Sequence, residues 1–164
     1  MRLKALSLLV LLMTVAAGCS APKAKEPSSA LANLKKALAN ENEGSFVACF
    51  QESKDYVTAI QQLYATVQQA REYEEEMLDH DGPTALEPTG GKTILDRLDA
   101  WLEGATFEQE NDQATCVLKD GSRFTMRVEE GSWVISSTEF LKLMSKQVVA
   151  TYIADLGVPV SEEP

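Results

Sequence analysis

Metal-binding residues, long apolar runs and positive charge are all scarce in this sequence. It has a single histidine and three cysteines without a Cys-x-x-Cys pair, so the usual ligand sets for zinc are missing. It also has no apolar run of the about 20 residues that a membrane-spanning helix needs. Acidic residues outnumber basic ones by 25 to 15, and the resulting negative surface repels nucleic acid. We therefore expect no metal, no other cofactor and no nucleic-acid partner.

The first 20 residues have the layout of an export signal. Two basic residues precede an apolar stretch over residues 5–15, and small residues then lead into Cys19. This arrangement resembles the lipobox of bacterial lipoproteins, although Ala16 stands where leucine is commonest. The resemblance implies that residues 1–18 are a signal peptide and that the Cys19 thiol carries a diacylglycerol, with a fatty acyl chain such as palmitate on the new amine. A plain secretory signal and an uncleaved N-terminal anchor are the alternatives.

A lipid on Cys19 would hold the protein to a membrane of the cell envelope. Ser20 stands where an aspartate would favour retention in the inner membrane, so we expect the outer membrane, facing the periplasm, in an organism that has two membranes. Residues 19–29 are polar and contain two prolines, which predicts a lipidated tether. Residues 30–157 are expected to form one domain, and residues 158–164 a tail. Without the signal, the chain has a net charge of −12.

Apolar residues recur at helical spacing through the first part of this domain. The pattern predicts helices around residues 31–38, 46–50, 54–79 and 94–102. In the longest helix, the predicted buried stripe comprises Val57, Ile60, Tyr64, Val67 and Tyr73. Residues 82–91 contain two prolines and three glycines, and this composition predicts a loop.

After the last of these helices the apolar period changes from 3.6 to 2, which predicts strands. Four strands are expected, over residues 106–110, 113–119, 123–129 and 133–136. In the third strand Phe124 and Met126 face one way, and the short hairpin puts Cys116 on that face. Ser136-x-x-Glu139 resembles a capping box that begins a final amphipathic helix. We expect this helix to cover the second face of the sheet.

Helices followed by a meander of antiparallel strands give an α+β order. Three stretches in that order resemble the nuclear transport factor 2-like (SnoaL-like) superfamily: residues 37–46, 112–121 and 130–135. The resemblance implies that the N-terminal helices pack in a curved, cone-like sheet of four antiparallel strands that encloses a pocket. Two departures stand out, because the early short strand of the superfamily is not visible near residues 82–91 and the C-terminal helix is an addition.

The superfamily contains enzymes and non-enzymes, so the fold does not decide the function. None of the acid–base residues of its enzymes has a counterpart here, and we assign no catalytic residue. The candidate pocket residues are Tyr64, Trp101, Phe124 and Met126. The alternative is that these side chains belong to the core, as aromatic residues at helical spacing usually do.

Several other side chains have two interpretations each. His80 is either a general base beside an aspartate or a cation that favours a helix C terminus. Glu74 and the two glutamates after it form either a cation site or a solvated helix face. The arginines of the third strand face either an anionic ligand or neighbouring carboxylates. Cys49 and Cys116 form either a disulfide, which an exported compartment permits, or two buried thiols.

The sequence favours a lipid-anchored, non-enzymatic envelope protein whose domain binds a protein partner or a small apolar ligand. One alternative is a proton-transfer enzyme, similar to an isomerase or a dehydratase, with a carboxylate in the pocket. Another is a structural protein that self-associates into a homodimer across the open sheet face. A carboxylate that points into a pocket near His80 or a tyrosine hydroxyl would favour the enzyme. An interior filled with apolar side chains would favour binding or structure.

Overall fold

The computed structural model describes residues 22–51 and 54–157, which form an α+β fold of helices and one antiparallel sheet. The helices before the sheet are α1 (Pro27–Ala39), α2 (Glu43–Val47), α3 (Lys54–Asp81), a 3₁₀ helix (Gly82–Thr89) and α4 (Ile94–Leu102). The strands are β1 (Thr106–Glu110), β2 (Gln113–Val117), β3 (Arg123–Glu129) and β4 (Ser132–Ile135). The C-terminal helical segment consists of α5 (Ser137–Leu143), a π-helical stretch (Met144–Ala150) and α6 (Thr151–Asp155). The α+β prediction is confirmed.

The four strands form a meander in the order β1-β2-β3-β4, and each neighbouring pair is antiparallel. Alternation along the strands sends one set of side chains into the core, so Ala114, Cys116, Phe124 and Met126 are all buried. Cys116 lies directly opposite Phe124, as the hairpin length predicts. The other face of the sheet carries the exposed side chains of Arg123, Thr125 and Arg127, although Val134 of β4 is buried on it, and we call it the outer face.

The core lies between the buried face of the sheet and the helices. Leu34 and Leu38 of α1 and Ile60 and Val67 of α3 are at most 1% exposed, because each pair repeats at a spacing that returns to the same side of a helix. Tyr73 is 41% exposed, so its predicted place on the buried stripe is wrong. A residue six positions after Val67 lies about 120° around the helix from it.

The C-terminal helical segment packs on the buried face of the sheet, together with the earlier helices. The ring of Phe140 in α5 meets the ring of Phe124 edge-on at 5.0 Å and lies 5.6 Å from that of Phe50. The prediction that this segment covers the second face is therefore wrong, because its apolar side chains match the apolar face and the polar outer face is left to water. Ser136 precedes α5, but within the described residues its side chain makes no capping hydrogen bond.

The chain is fixed to β4 at Ala24, which corrects the predicted tether. The backbone N–H of Trp133 donates to the carbonyl oxygen of Ala24 at 2.9 Å. The N–H of Ala24 donates in turn to Ser132 Oγ at 3.0 Å, and Ala24 is buried. The polar composition of residues 19–29 predicted a tether. The prediction failed because composition does not show which backbone groups form hydrogen bonds with the rest of the domain.

Residues 49–51 cover the rest of the β4 edge that does not pair with β3. The N–H of Ile135 donates to the carbonyl oxygen of Cys49 at 2.8 Å, and the N–H of Gln51 donates to that of Ile135 at 3.0 Å. Residues 49–51 thus run beside β4 in the parallel sense. An edge strand with free backbone groups is prone to pair with other chains, and these two segments remove that exposure from β4.

The region over residues 82–91 is more regular than the predicted loop. It contains the 3₁₀ helix, which ends at Gly90 in the left-handed conformation with φ of 70°. The buried hydroxyl of Thr89 lies 2.8 Å from the carbonyl oxygen of Leu86 and 2.7 Å from that of Lys92. A side chain therefore supplies the hydrogen bonding that lets this proline-containing segment pack against the core.

Residues 1–21, 52–53 and 158–164 lie outside the described residues. The signal peptide, the lipid on Cys19 and the C-terminal tail accordingly stay predictions. In the ranges 22–51 and 54–157, no helix has both the length and the apolar character needed to cross a membrane.

Candidate functional site

A buried carboxylate lies where α3 meets the start of α4. Glu74 is only 5% exposed, and its Oε1 accepts a hydrogen bond from the backbone N–H of Ile94 at 2.6 Å. Ile94 begins α4, so the carboxylate lies at a helix N terminus, where negative charge is favoured. Burial raises the pKa of Glu74, and hydrogen bonding to Tyr152 and to the Ile94 N–H together with the charge of Arg71 offset part of that shift.

Tyr152 of α6 lies beside this carboxylate and is fully buried. Burial raises the pKa of its hydroxyl, and the neighbouring Glu74 raises it further. The hydroxyl lies beside the Glu74 carboxylate, although among the described residues its geometry falls short of a full hydrogen bond. The guanidinium of Arg97 lies 5.5 Å from the centre of the Tyr152 ring, and Arg97 also forms an ion pair with Asp155. A carboxyl group and a phenol therefore meet, which is the arrangement that a proton-transfer enzyme would use.

The surroundings of this pair favour a structural role. Neither Glu74 nor Tyr152 lines any of the three clefts found on the described part of the chain. Because Tyr152 has no exposed surface, a substrate would have to displace α6 to reach its hydroxyl. The pair instead joins α3, α4 and α6 at one buried point.

Neither interpretation predicted for Glu74, a cation site or a solvated helix face, matches this buried position. The glutamates that follow it are exposed, and so the run as a whole resembles a surface. The spacing of the sequence could have revealed the burial of Glu74. Ile60, Val67 and Glu74 follow one another at intervals of seven residues, and all three are buried. The buried stripe of α3 thus ends in a carboxylate.

Three of the four predicted pocket residues are packed in the core. Tyr64 is 8% exposed, and its ring lies 5.4 Å from that of Phe46. Phe124 and Met126 are at most 1% exposed, and Phe124 packs against Phe140. The space between the sheet and the helices is therefore filled by aromatic and aliphatic side chains.

Trp101, the fourth predicted pocket residue, is half-buried and joins three elements. Its ring lies 5.7 Å from that of Phe140, and its Nε1 donates to Gln147 Oε1 at 2.8 Å. Gln147, in the π-helical stretch, donates through Nε2 to Ser122 Oγ at 3.1 Å. The Gln147 side chain thus links Trp101 of α4 to the hairpin between β2 and β3.

The largest of the three clefts lies beside β4, and we call it the β4 cleft. Its volume is about 820 Å³, and its walls come from residues 22–24, α1, α2, the first turns of α3 and β4. Apolar side chains form much of its surface: Val47, Phe50, Val57, Ile60, Trp133 and Val134. The charged residues Lys23, Glu129 and Glu130 also line it. Apolar walls with a few polar groups are typical of binding sites.

A shallower groove of about 560 Å³ lies on the outer face. Its walls carry polar and charged side chains, such as Glu108, Thr125 and Arg127. Arg123 lies 3.8 Å from the carboxylate of Glu108, and Arg127 pairs with Glu129. The arginines of β3 therefore meet carboxylates of the same sheet, which is one of the two predicted arrangements.

His80 lies on the surface at the end of α3. Its Nδ1 is 2.7 Å from Asp81 Oδ1, and its side chain is 86% exposed. The hydrogen bond with Asp81 raises the pKa of His80. An imidazole in this position suits the C terminus of a helix, and no wall surrounds it as a catalytic base would require.

Cys49 and Cys116 are both buried free thiols, and burial raises the pKa of each to about 12. Cys49 lies outside β4, whereas Cys116 lies on β2, so that β3 and β4 stand between them. Three strand spacings amount to about 14 Å, which is twice the limit of about 7 Å between the Cα atoms of a disulfide. The structure therefore corrects the disulfide interpretation in favour of two buried thiols.

The comparisons with known proteins yield no relative. No protein-family model, no curated protein and no solved structure matches this chain. Among the residues that the structure describes, no group of three histidine, cysteine, aspartate or glutamate side chains is placed to hold a metal ion.

Proposed function

We propose that this chain is a lipid-anchored protein of the cell envelope whose domain binds a protein partner or a small apolar ligand at the β4 cleft. The lipobox-like residues that end in Cys19 support the anchor. The order of helices followed by a four-stranded meander supports a relation to the nuclear transport factor 2-like superfamily, from which the added C-terminal helix departs. The packing supports binding rather than catalysis, because apolar side chains fill the interior.

The single observation that carries this proposal is the apolar lining of the β4 cleft. Phe50 and Trp133 contribute to its walls although their rings are almost fully buried, and Val47 and Val57 are only partly buried there. An apolar surface of this kind gains free energy when another apolar group covers it, at about 25 cal/mol per Å² removed from water. The cleft is thus the described surface best suited to hold a partner.

Photo-crosslinking in intact cells tests this proposal. A photoreactive amino acid replaces Ala48, which is exposed and lines the β4 cleft, or Ala100, which is exposed on α4 away from it. We expect an adduct at position 48, either a protein or a small molecule, and none at position 100. A gel shift identifies a protein, and the intact mass identifies a small ligand.

A matched pair of substitutions shows whether the cleft itself is the site. Val57→Trp places a large ring in the cleft, whereas Thr58→Trp adds the same ring to an exposed position of the same helix. The adduct should be lost in V57W and kept in T58W. Equal labelling at positions 48 and 100, or labelling that V57W leaves unchanged, overturns the proposal.

The enzyme alternative rests on Glu74 and Tyr152. Their proximity and the raised pKa of each favour it, but both are buried and the carboxylate already accepts the Ile94 N–H. It is therefore the weaker proposal. The same applies to a homodimer through the outer face, because the arginines there already meet carboxylates of the same sheet.

A further inference from the structure

Residues 22–24 are bound firmly to the domain, and they lie close in sequence to the proposed lipid anchor at Cys19. Four hydrogen bonds hold this segment, of which two are the bonds between Ala24 and β4. Asn33 Nδ2 in α1 donates to the carbonyl oxygen of Pro22 at 2.7 Å. Lys23 Nζ donates to the carbonyl oxygen of Glu130 at 2.9 Å. Pro22 is thus tied to α1, and Lys23 is tied to the turn between β3 and β4.

Only residues 20 and 21 separate Pro22 from Cys19. Consecutive Cα atoms are about 3.8 Å apart, so the Cα atom of Pro22 is at most about 11 Å from that of Cys19 in any conformation. The headgroup layer between the hydrocarbon core and water is about 5–8 Å thick. If Cys19 carries a lipid, the chain between Cys19 and Pro22 can therefore extend only a few ångströms beyond the headgroup layer.

We propose that residues 22–26 and the turn over residues 129–131 form the face of the domain that lies against the lipid surface. This proposal rests on the lipid anchor of the proposed function. Pro22, Lys23, Lys25, Glu26 and Glu130 are exposed on this face. The β4 cleft borders the same face, because Pro22 and Lys23 line it. The cleft would then lie beside the membrane, within reach of ligands or partners held in that membrane.

The length of α3 provides a distant reference point. Val57 lines the β4 cleft, whereas His80 lies 23 residues further along the same helix. At a rise of about 1.5 Å per residue, the two positions are about 35 Å apart. A label at His80 therefore reports the quenching at a site of the domain that is far from the β4 cleft.

The experiment uses the full mature lipoprotein in vesicles of phosphatidylethanolamine and phosphatidylglycerol that contain a headgroup nitroxide lipid. Single cysteines are introduced as Glu130→Cys or Lys25→Cys on the proposed face and as His80→Cys at the reference position, and each is labelled with a fluorophore. The native thiols at positions 49 and 116 are buried with a pKa of about 12, so the new cysteine reacts selectively. The nitroxide should quench the labels at positions 130 and 25 several-fold more than the label at position 80.

A longer linker between Cys19 and the domain distinguishes a failure of the proposed orientation from a failure of the lipid anchor. Insertion of 20 glycine and serine residues after Ser20 keeps the lipid but frees the domain, so the quenching at position 130 should fall to that at position 80. Equal quenching at all three positions in the native-length chain, or no effect of the insertion, overturns the orientation while the anchor stands. A mass without acyl chains on Cys19 overturns the anchor, and the orientation falls with it.

Discussion

The backbone N–H of Ile94 donates to a carboxylate oxygen of Glu74 at 2.6 Å, inside the protein and 20 residues away in the chain. This bond ties the start of α4 to the last third of α3. The other cap of α4 is local, because Thr93 Oγ1 accepts from the N–H of Asp96 and the Asp96 carboxylate accepts from the N–H of Thr93. The start of α4 is therefore held both by its own sequence and by a distant acid.

Loss of the Glu74 carboxylate should destabilise the fold. Glu74→Ala leaves the Ile94 N–H without its partner in a buried place, and an unsatisfied buried group of this kind costs about 1–3 kcal/mol. Chemical denaturation should show a fall of that size in the free energy of unfolding. Glu75→Ala, at an exposed position of the same helix, should change it by less than about 0.5 kcal/mol. Equal effects of the two substitutions would contradict the capping role.

The same carboxyl group makes a definite prediction for pH. Burial raises the pKa of Glu74 in the folded state, so the folded protein holds this proton where the unfolded chain has lost it. Wild type should therefore gain stability relative to Glu74→Gln as the pH falls through the folded pKa toward the ordinary glutamate value of about 4.3. Both proteins retain His80, so its titration cancels in the comparison. A difference in stability that stays constant with pH would refute the raised pKa.

The aromatic contacts between α5 and the sheet predict that Phe140 is central to the core. Phe140→Ala should lower the free energy of unfolding by about 3–5 kcal/mol, because the ring is fully buried and its loss leaves a cavity. Leu141→Ala, next to it but only half-buried, should cost clearly less. The order of the two losses in thermal or chemical unfolding checks whether α5 packs on the buried face or on the outer face.

Local patterns were enough to predict the strands but not the long-range contacts. The bounds of β3 follow from alternation alone, since Phe124 and Met126 face the core while the residue between them faces water. β1 is found at the predicted residues 106–110, but of its side chains only Phe107 is partly buried. The positions of Ala24 and Glu74 could not be read in the same way, because the backbone of β4 and the N–H of Ile94 hold them from distant parts of the chain. The C-terminal helix was predicted correctly in sequence and placed on the wrong face, because periodicity shows that a helix has an apolar side but not what covers it.

The buried thiols give a further test of the fold. Cys49 and Cys116 should resist alkylation at pH 8 in the native protein, because both are buried and a pKa of about 12 leaves almost no thiolate. Both should react once the protein is unfolded without a reductant. Two thiols that appear only after reduction would show a disulfide and would place β2 and the segment beside β4 closer together than the structure has them.

The intact mass of the protein extracted from membranes is the decisive test of the lipid anchor. We predict a chain that begins at Cys19 and carries a diacylglycerol and a further acyl chain, and a Cys19→Ser variant that stays uncleaved and without lipid. A mature chain that starts at another residue, or one that carries no acyl chain, would contradict the proposed anchor and with it the membrane setting of the β4 cleft.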